Sequence, residues 1–204
     1  MTNVQPYKLA GVMGWPVAHS RSPLIHNHWI AEQALKGAYV LLPVQPNNLA
    51  QALRALPTLG FAGCNLTIPH KVAAMSIVDR VDSLAQRIGA VNTIVVEADG
   101  SLTGRNTDAF GFIQSLYDAQ PQWRADQGSA MVIGAGGAAR AVLAGLLDAG
   151  VPDICLTNRS PEKAHALARE FGSRIHPIAW ADRHDALAGM ALLVNTTNQG
   201  MHGE

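Results

Sequence analysis

The chain has 204 residues, 48% hydrophobic and only 15% charged, with a formal net charge of zero. That suits one large globular domain or two small ones and argues against an electrostatic nucleic-acid binder. No apolar run approaches a membrane span, residues 1–6 lack the basic and apolar regions of a signal peptide, and the two cysteines, Cys64 and Cys155, sit in apolar strand-like runs. They read as buried thiols in a reducing cytoplasm, without support for a disulfide or a metal pair.

Residues 7–14 are apolar and glycine-punctuated, and read as a first strand. Ser22-Pro23 then offers a hydroxyl N-cap with proline at the first helical position, predicting a helix to about Lys36 that Gly37 ends. Ser20 and Ser22 lie just ahead of that helix. Free N–H groups and hydroxyls there suit a carboxylate or phosphate, the alternative being that both serines only cap the helix. A second strand is expected over 38–44 and a second helix over 48–56. The apolar run 59–64 reads as a third, buried strand, with Asn65 and Thr67 bringing an amide and a hydroxyl to its end. Pro69 can start a helix running to about Val78. Lys71, one step further in, is either a solvated surface lysine or an amine that gives and takes a proton.

Asp82 or Ser83 starts a short helix ending at Gly89, and residues 90–96 and 101–103 read as a hairpin across 98–100. Two polar residues stand out beside it. Asn92 interrupts an apolar strand, and Asp108 closes Gly104-Arg105-Asn106-Thr107-Asp108 before the apolar helix 109–117. Taken alone, the first is a buried amide tied to local backbone and the second a helix cap. His19, His26, His28 and His70 do not make a metal site. His26 and His28 cannot share a helix face, and no His-Glu or Cys-pair spacing accompanies them.

Residues 121–128 are polar and linker-like. A buried strand at 130–133 runs directly into Gly134-Ala135-Gly136-Gly137-Ala138-Ala139-Arg140, with a helix expected to Ala149. This is G-x-G-x-x-A in the strand–turn–helix context of a dinucleotide site. Gly134 permits the tight turn, Gly136 lets backbone approach a pyrophosphate, and Ala139 lets helix and strand pack closely. The next strand, 153–157, ends in Asn158-Arg159-Ser160-Pro161-Glu162-Lys163. An NAD site usually carries an acid at that strand end. Here it is missing, and Arg159 and Lys163 supply positive charge suited to a 2′-phosphate, which favours NADP. Ser160-Pro161 starts a helix through Glu170. A strand at 175–178, a short helix at 182–187 and a strand at 190–194 follow, and a polar, Gly-rich loop from Asn195 ends the chain.

Together these pieces resemble the shikimate dehydrogenase family over essentially the whole chain. The resemblance rests on His19 to Asn27 with its paired serines, Asn65-x-Thr67-x-Pro69-x-Lys71, Ala90-Val91-Asn92-Thr93, Asn106-Thr107-Asp108, Gly134 to Arg140 with Asn158-Arg159-Ser160, and Asn195-Thr196-Thr197 to Gly200-Met201. It implies NADPH-dependent reduction of 3-dehydroshikimate to shikimate, toward chorismate and the aromatic amino acids. It also implies site roles: Ser20 and Ser22 for the substrate carboxylate; Asn65, Thr67, Lys71, Asn92 and Asp108 around the ring hydroxyls and the carbonyl; Lys71 and Asp108 as the catalytic pair. The cofactor residues would be Gly134, Ala135, Gly136, Gly137, Ala138, Asn158, Arg159, Ser160 and Lys163, with Thr196 on the nicotinamide side.

The fold class expected is α/β in two domains, a substrate domain over 1–108 and a Rossmann-like NADP-binding domain over 109–204, with helix 109–117 bridging them and a cleft between. The partners expected are small molecules, with no nucleic acid and no membrane, in a cytoplasmic monomer or homodimer. Family members continue past the position of Glu204 with further strands, helices and a substrate-reaching glutamine, so the 204-residue chain alone is expected to turn over weakly or not at all. A quinate/shikimate dehydrogenase is the nearest alternative, though Ser22, where threonine would point to quinate, favours shikimate. A non-catalytic sensor on the same fold would be expected to lose the Lys71/Asp108 pair, and both are present.

Overall fold

Short apolar runs alternating with helices build two separate sheets in the computed structural model, which describes residues 6–200. The chain divides into two compact units between Asn106 and Thr107. The first contains β1 (Lys8–Gly14), α1 (Ser22–Glu32), β2 (Gly37–Pro43), α2 (Leu49–Ala55), β3 (Gly63–Leu66), α3 (His70–Ala73), β4 (Arg80–Val81), α4 (Ser83–Ile88), β5 (Thr93–Val96) and β6 (Leu102–Arg105). Its six strands are ordered β2-β1-β3-β5-β6-β4. β1 is parallel to β2 and β3, the pairs β3–β5 and β5–β6 are antiparallel, and β4 is parallel to β6. Met13, Leu53, Leu66, Ile94 and Leu102 pack its main core, and removing such side chains from water is the chief favourable contribution to folding.

Three local expectations shift. The third strand lies at Gly63–Leu66, later than 59–64. The chain is still turning at Gly60, and Phe61 makes only an isolated bridge to Leu9, so the ladder with β5 begins at Gly63. This puts Asn65 inside the strand, facing Val12 on one side and Thr93 on the other. The first helix begins at Ser22 rather than after it: the Arg21 carbonyl accepts the Ile25 N–H at 3.2 Å, so Arg21 is the N-cap and the expected Ser22 hydroxyl cap is not made. It ends at Glu32, where Ala34 takes a left-handed conformation (φ 52°) and the Leu35 N–H returns to the Ile30 carbonyl at 2.9 Å. The helix expected over 69–78 is a single α turn plus a 3₁₀ turn at Ala74–Ser76, with Pro69 just ahead of it. The short helix after 82 forms as read: the Asp82 carboxylate accepts the Ala85 N–H at 2.7 Å, and Gly89 ends it.

The second unit contains α5 (Asp108–Ala119), β7 (Ala130–Ile133), α6 (Gly137–Ala149), β8 (Ile154–Thr157), α7 (Pro161–Phe171), β9 (Ile175–Pro177) and β10 (Leu192–Asn195). All pairings are parallel, in the order β10-β7-β8-β9. β7 and β8 are apolar or small at nearly every position, as parallel strands covered by helices must be. Val132, Leu143, Leu146, Ile154, Leu156 and Leu167 form the core beneath α6 and α7, and α5 packs on α6. The short helix expected at 182–187 is a pair of 3₁₀ turns. Among the described residues no helix is long and apolar enough to cross a membrane. Met201 and the glycine-rich end of the last loop lie outside the described residues.

Candidate active site

In the first unit the register gathers the polar candidates at one end of the sheet. β1 and β3 run parallel, so the serine loop after β1 and the Asn65–Thr67 segment leave from the same end. β5 runs the other way, so Asn92, just before it, lies at that end too, and so does the exit of β6 toward Asn106. Four segments distant in sequence thus meet through strand direction alone.

Hydrogen bonds and one ring stack join them. The Ser20 hydroxyl donates to Ser22 Oγ at 3.1 Å. The Tyr39 hydroxyl donates to Asn65 Oδ1 at 2.7 Å, Asn65 Nδ2 donates to the Asn92 carbonyl at 3.3 Å and to Thr93 Oγ1 at 3.2 Å, and Thr93 donates to Asn92 Oδ1 at 2.8 Å. Tyr39 also touches the serine loop indirectly. The His26 ring stacks on it at 4.1 Å between centroids, and His26 Nδ1 donates to the Ser22 carbonyl at 2.9 Å. Asn27 holds the Tyr39 backbone from both sides, donating to its carbonyl at 2.8 Å and accepting its N–H at 2.9 Å. Burial, helped by Cys64, pushes the Tyr39 phenol well above its ordinary range, so it stays a neutral donor. Tyr39, His26, Asn27 and Thr93 are the site neighbours that sequence reasoning gave no role. His26, Asn27 and Thr93 lie within the motifs that carry the family resemblance; Tyr39 had no local signal.

Thr67 is half-buried, its N–H bonded to the Met13 carbonyl at 2.9 Å. Lys71 is half-buried in the α3 turn, and its carbonyl accepts the Val91 N–H at 2.8 Å. Beside it His70 is buried, with Nε2 on the Val44 carbonyl at 2.8 Å. A carbonyl only accepts, so that nitrogen carries the hydrogen, and the ring pins α3 to the segment after β2. Asn92 is buried, its N–H on the Arg105 carbonyl at 3.0 Å. Asp108 is the first residue of α5 and belongs to the second unit; Asn106, two residues earlier, is buried with its amide on the Ala90 carbonyl at 2.9 Å. A surface groove of about 480 Å³ in the first unit, with Trp15, Gln45, Asn48 and Gln51 among its lining, contains none of these candidates. Groove size does not mark the site here.

In the second unit β7 lies between β10 and β8, the place where strand order reverses and ligands of open parallel sheets bind. The loops after β7, β8 and β10 carry the cofactor candidates. Gly134 has φ +111°, and any Cβ there would collide with Thr196 Oγ1, which itself donates to the Ile133 carbonyl at 2.8 Å. Gly134 and Thr196 therefore hold two adjacent strand ends together. At Gly136 a Cβ would meet no atom within 4 Å. That residue is the N-cap of a 13-residue helix and offers no side-chain acceptor to the first-turn N–H groups. Open space beside uncapped donors fits a pyrophosphate. Ala135 and Gly137 flank it half-buried, Ala138 is exposed, and Ala139 is buried against the sheet. Arg159 and Lys163 are exposed, while Asn158 donates to the Ser160 carbonyl at 3.0 Å and shapes the turn into α7. Arg140 binds Glu170 and lies over the Phe171 ring, tying α6 to α7. These residues fit a dinucleotide with a 2′-phosphate. Among the described residues no cluster of three or more His, Cys, Asp or Glu could hold a metal.

Comparison with known proteins matches this layout. Residues 12–94 match the shikimate dehydrogenase substrate binding domain, and residues 118–201 match the shikimate / quinate 5-dehydrogenase family. The NADP(+) shikimate dehydrogenase of Paramagnetospirillum magneticum is 56% identical over 97% of this chain and 71% of its own length. The crystal structure of shikimate dehydrogenase from Aquifex aeolicus superposes with a TM-score of 0.90 at 36% identity, covering 100% of this chain and 73% of that one. The Thermus thermophilus enzyme in complex with NADP(H) and shikimate gives a TM-score of 0.82 at 39% identity, over 94% of this chain and 69% of that one. With a substrate-domain match on the first unit, a dehydrogenase match on the second and a relative more than half identical throughout, the chain belongs to the shikimate dehydrogenase family.

Proposed function

We propose that this chain is a cytoplasmic, NADP-dependent shikimate dehydrogenase that reversibly reduces 3-dehydroshikimate to shikimate, on the route to chorismate and the aromatic amino acids. It works as a monomer or homodimer on small molecules alone. The unit ending at Asn106 serves the substrate and the unit from Thr107 serves NADP. One observation carries the reading: in each unit the candidates, scattered in sequence, leave the sheet at a single end.

NADPH supplies the hydride, so the protein must position the ring and manage one proton. Ser20 and Ser22 turn their hydroxyls from each other to the substrate carboxylate. Asn65, Thr67 and Asn92 hydrogen-bond the ring hydroxyls. Lys71 delivers a proton to the carbonyl oxygen during reduction and takes it back during oxidation. Asp108 is the second member of the catalytic pair, a carboxylate that can share the proton of the Lys71 amine. When NADP is bound, backbone N–H groups at Gly136 and Gly137 would hold its pyrophosphate, Arg159 and Lys163 its 2′-phosphate, with Thr196 assigned to the nicotinamide side.

The test is NADP reduction, followed by NADPH absorbance, with shikimate or quinate and with NADP or NAD, alongside calorimetric binding of each ligand. Shikimate with NADP is expected to be the preferred pair. A chain that binds neither shikimate nor NADP would contradict the proposal.

A further inference from the structure

The Asn65 amide lies in a hydrogen-bond chain with only one consistent direction. The Thr93 hydroxyl spends its single hydrogen on Asn92 Oδ1 at 2.8 Å. Its oxygen can then only accept from Asn65, and the Asn92 backbone carbonyl can only accept as well. The NH2 end of Asn65 must therefore face these two groups. That leaves Oδ1 facing Tyr39, whose hydroxyl must donate, at 2.7 Å. The strengths are unequal. The bond to Tyr39 is short, whereas the two bonds from the NH2 end, at 3.2 and 3.3 Å, are long for N–H···O contacts. Asn65 is gripped by its oxygen and loosely held by its nitrogen, so a ligand oxygen can take over a donor without turning the amide round.

The grip is itself held on every side. Tyr39 is 4% exposed, its backbone is clamped by Asn27, and its ring is stacked by His26, which also bonds the Ser22 carbonyl. Tyr39 lies on β2, 26 positions before Asn65, and none of the catalytic roles above uses it. We infer that Tyr39 is a positioning residue for substrate recognition: its hydroxyl fixes the Asn65 amide with the NH2 end presented to a substrate hydroxyl, and its ring ties that amide to the carboxylate-binding serine loop. The inference rests on the reading of Asn65 as a substrate-binding residue, and it extends recognition to a side chain that need not touch the ligand.

Two measurements test it. Tyr39→Phe keeps the ring and its stacking and removes one oxygen. The first measurement needs no ligand: in nitrogen-edited NMR spectra, the Asn65 side-chain NH2 signals of Tyr39→Phe should move and exchange with water faster, while signals from β7 to β10 stay in place. Unchanged Asn65 NH2 signals would overturn the positioning role. The second is a double-mutant cycle on shikimate affinity by calorimetry. Tyr39→Phe should weaken binding about fivefold to tenfold, the range expected for one lost hydrogen bond, with NADP affinity unchanged. Asn65→Ala should weaken it at least as much, and the double variant no further than Asn65→Ala alone. Fully additive losses would mean that Tyr39 acts independently of Asn65, against the inference. If the unaltered chain binds no shikimate while the Asn65 signals respond as expected, the proposed function falls and the positioning of Asn65 by Tyr39 stands.

Discussion

On the proposed function, the two units would recognise their ligands by opposite means. In the nucleotide unit the work would be done by backbone: a glycine held at φ +111° against Thr196, an open space where Gly136 has no side chain, and the first-turn N–H groups of α6. In the substrate unit it would be done by side chains from β2, β3, the serine loop and the segment before β5, fixed by bonds to one another. The first kind of site is harmed by adding atoms and the second by deleting them. The difference follows from the ligands. A pyrophosphate presents the same charged oxygens in every dinucleotide, which N–H groups suit, whereas a ring with several hydroxyls must be told from its isomers by directed donors and acceptors.

The sharpest break between the units is expected at Lys71. Relative to whatever shikimate oxidation the unaltered chain shows, Lys71→Ala should lower it about 10²- to 10⁴-fold, the usual weight of a general acid–base group, with NADP affinity unchanged and shikimate still bound. Turnover within a few-fold of the unaltered chain would remove Lys71 from the chemistry. Next comes the glycine pair. Gly136→Val adds atoms where the protein has none within 4 Å and where φ is −98°, which any residue adopts. Melting should not change, while NADP affinity falls about tenfold or more as the side chain enters the phosphate space. Gly134→Ala should instead lose stability, by about 1–3 kcal/mol for the backbone conformation and more for the clash with Thr196. If both variants melt like the parent and bind NADP normally, the backbone account of this unit is wrong.

Arg159 sharpens the comparison, because it is the one place where the nucleotide unit is read as using a charged side chain for selection. Arg159→Ala should weaken NADP about tenfold, as loss of a charge-assisted hydrogen bond does, and leave NAD unaffected. Equal losses for both cofactors would argue against contact with the 2′-phosphate. The last prediction concerns stability in the first unit and appears only at alkaline pH. Burial pushes the Cys64 thiol from 9.0 up to about 12. The folded chain then keeps a proton that the unfolded chain loses, so this contribution is complete below about pH 9 and declines as pH rises toward 12, by at most about 1.4 kcal/mol per pH unit. Denaturant titrations should show a shallower alkaline decline for Cys64→Ala, apart from a constant packing loss. An identical slope would mean that Cys64 titrates normally.

The two units also differ in how much of them was legible in sequence. The turn residues of the nucleotide unit are contiguous, and local chemistry dictates them: β7, the N-cap of α7 at Ser160 and the glycine turn all lie where residue pattern puts them. In the substrate unit the polar residues could be picked out, but their coupling could not. Tyr39 meets Asn65 across 26 positions and Asn65 meets Thr93 across 28, contacts created by the mixed order β2-β1-β3-β5. No period or spacing encodes that order. β3 begins four residues into its apolar run, because that run starts before the backbone reaches its partners, and β4, two residues long, is too short to carry any pattern.

The most direct measurement is a titration of the assigned, nitrogen-labelled chain with shikimate and, separately, with NADP, read residue by residue by NMR. Shikimate should shift Ser20, Ser22, Asn65, Thr67, Lys71 and Asn92 and leave β7, β8 and β9 unmoved, and NADP should shift residues 134–138 and 158–163 and leave β1, β2 and β3 unmoved. Shikimate shifts centred on the nucleotide unit, NADP shifts centred on the serine loop and β3, or no shifts with either ligand would contradict the division of labour on which the account stands.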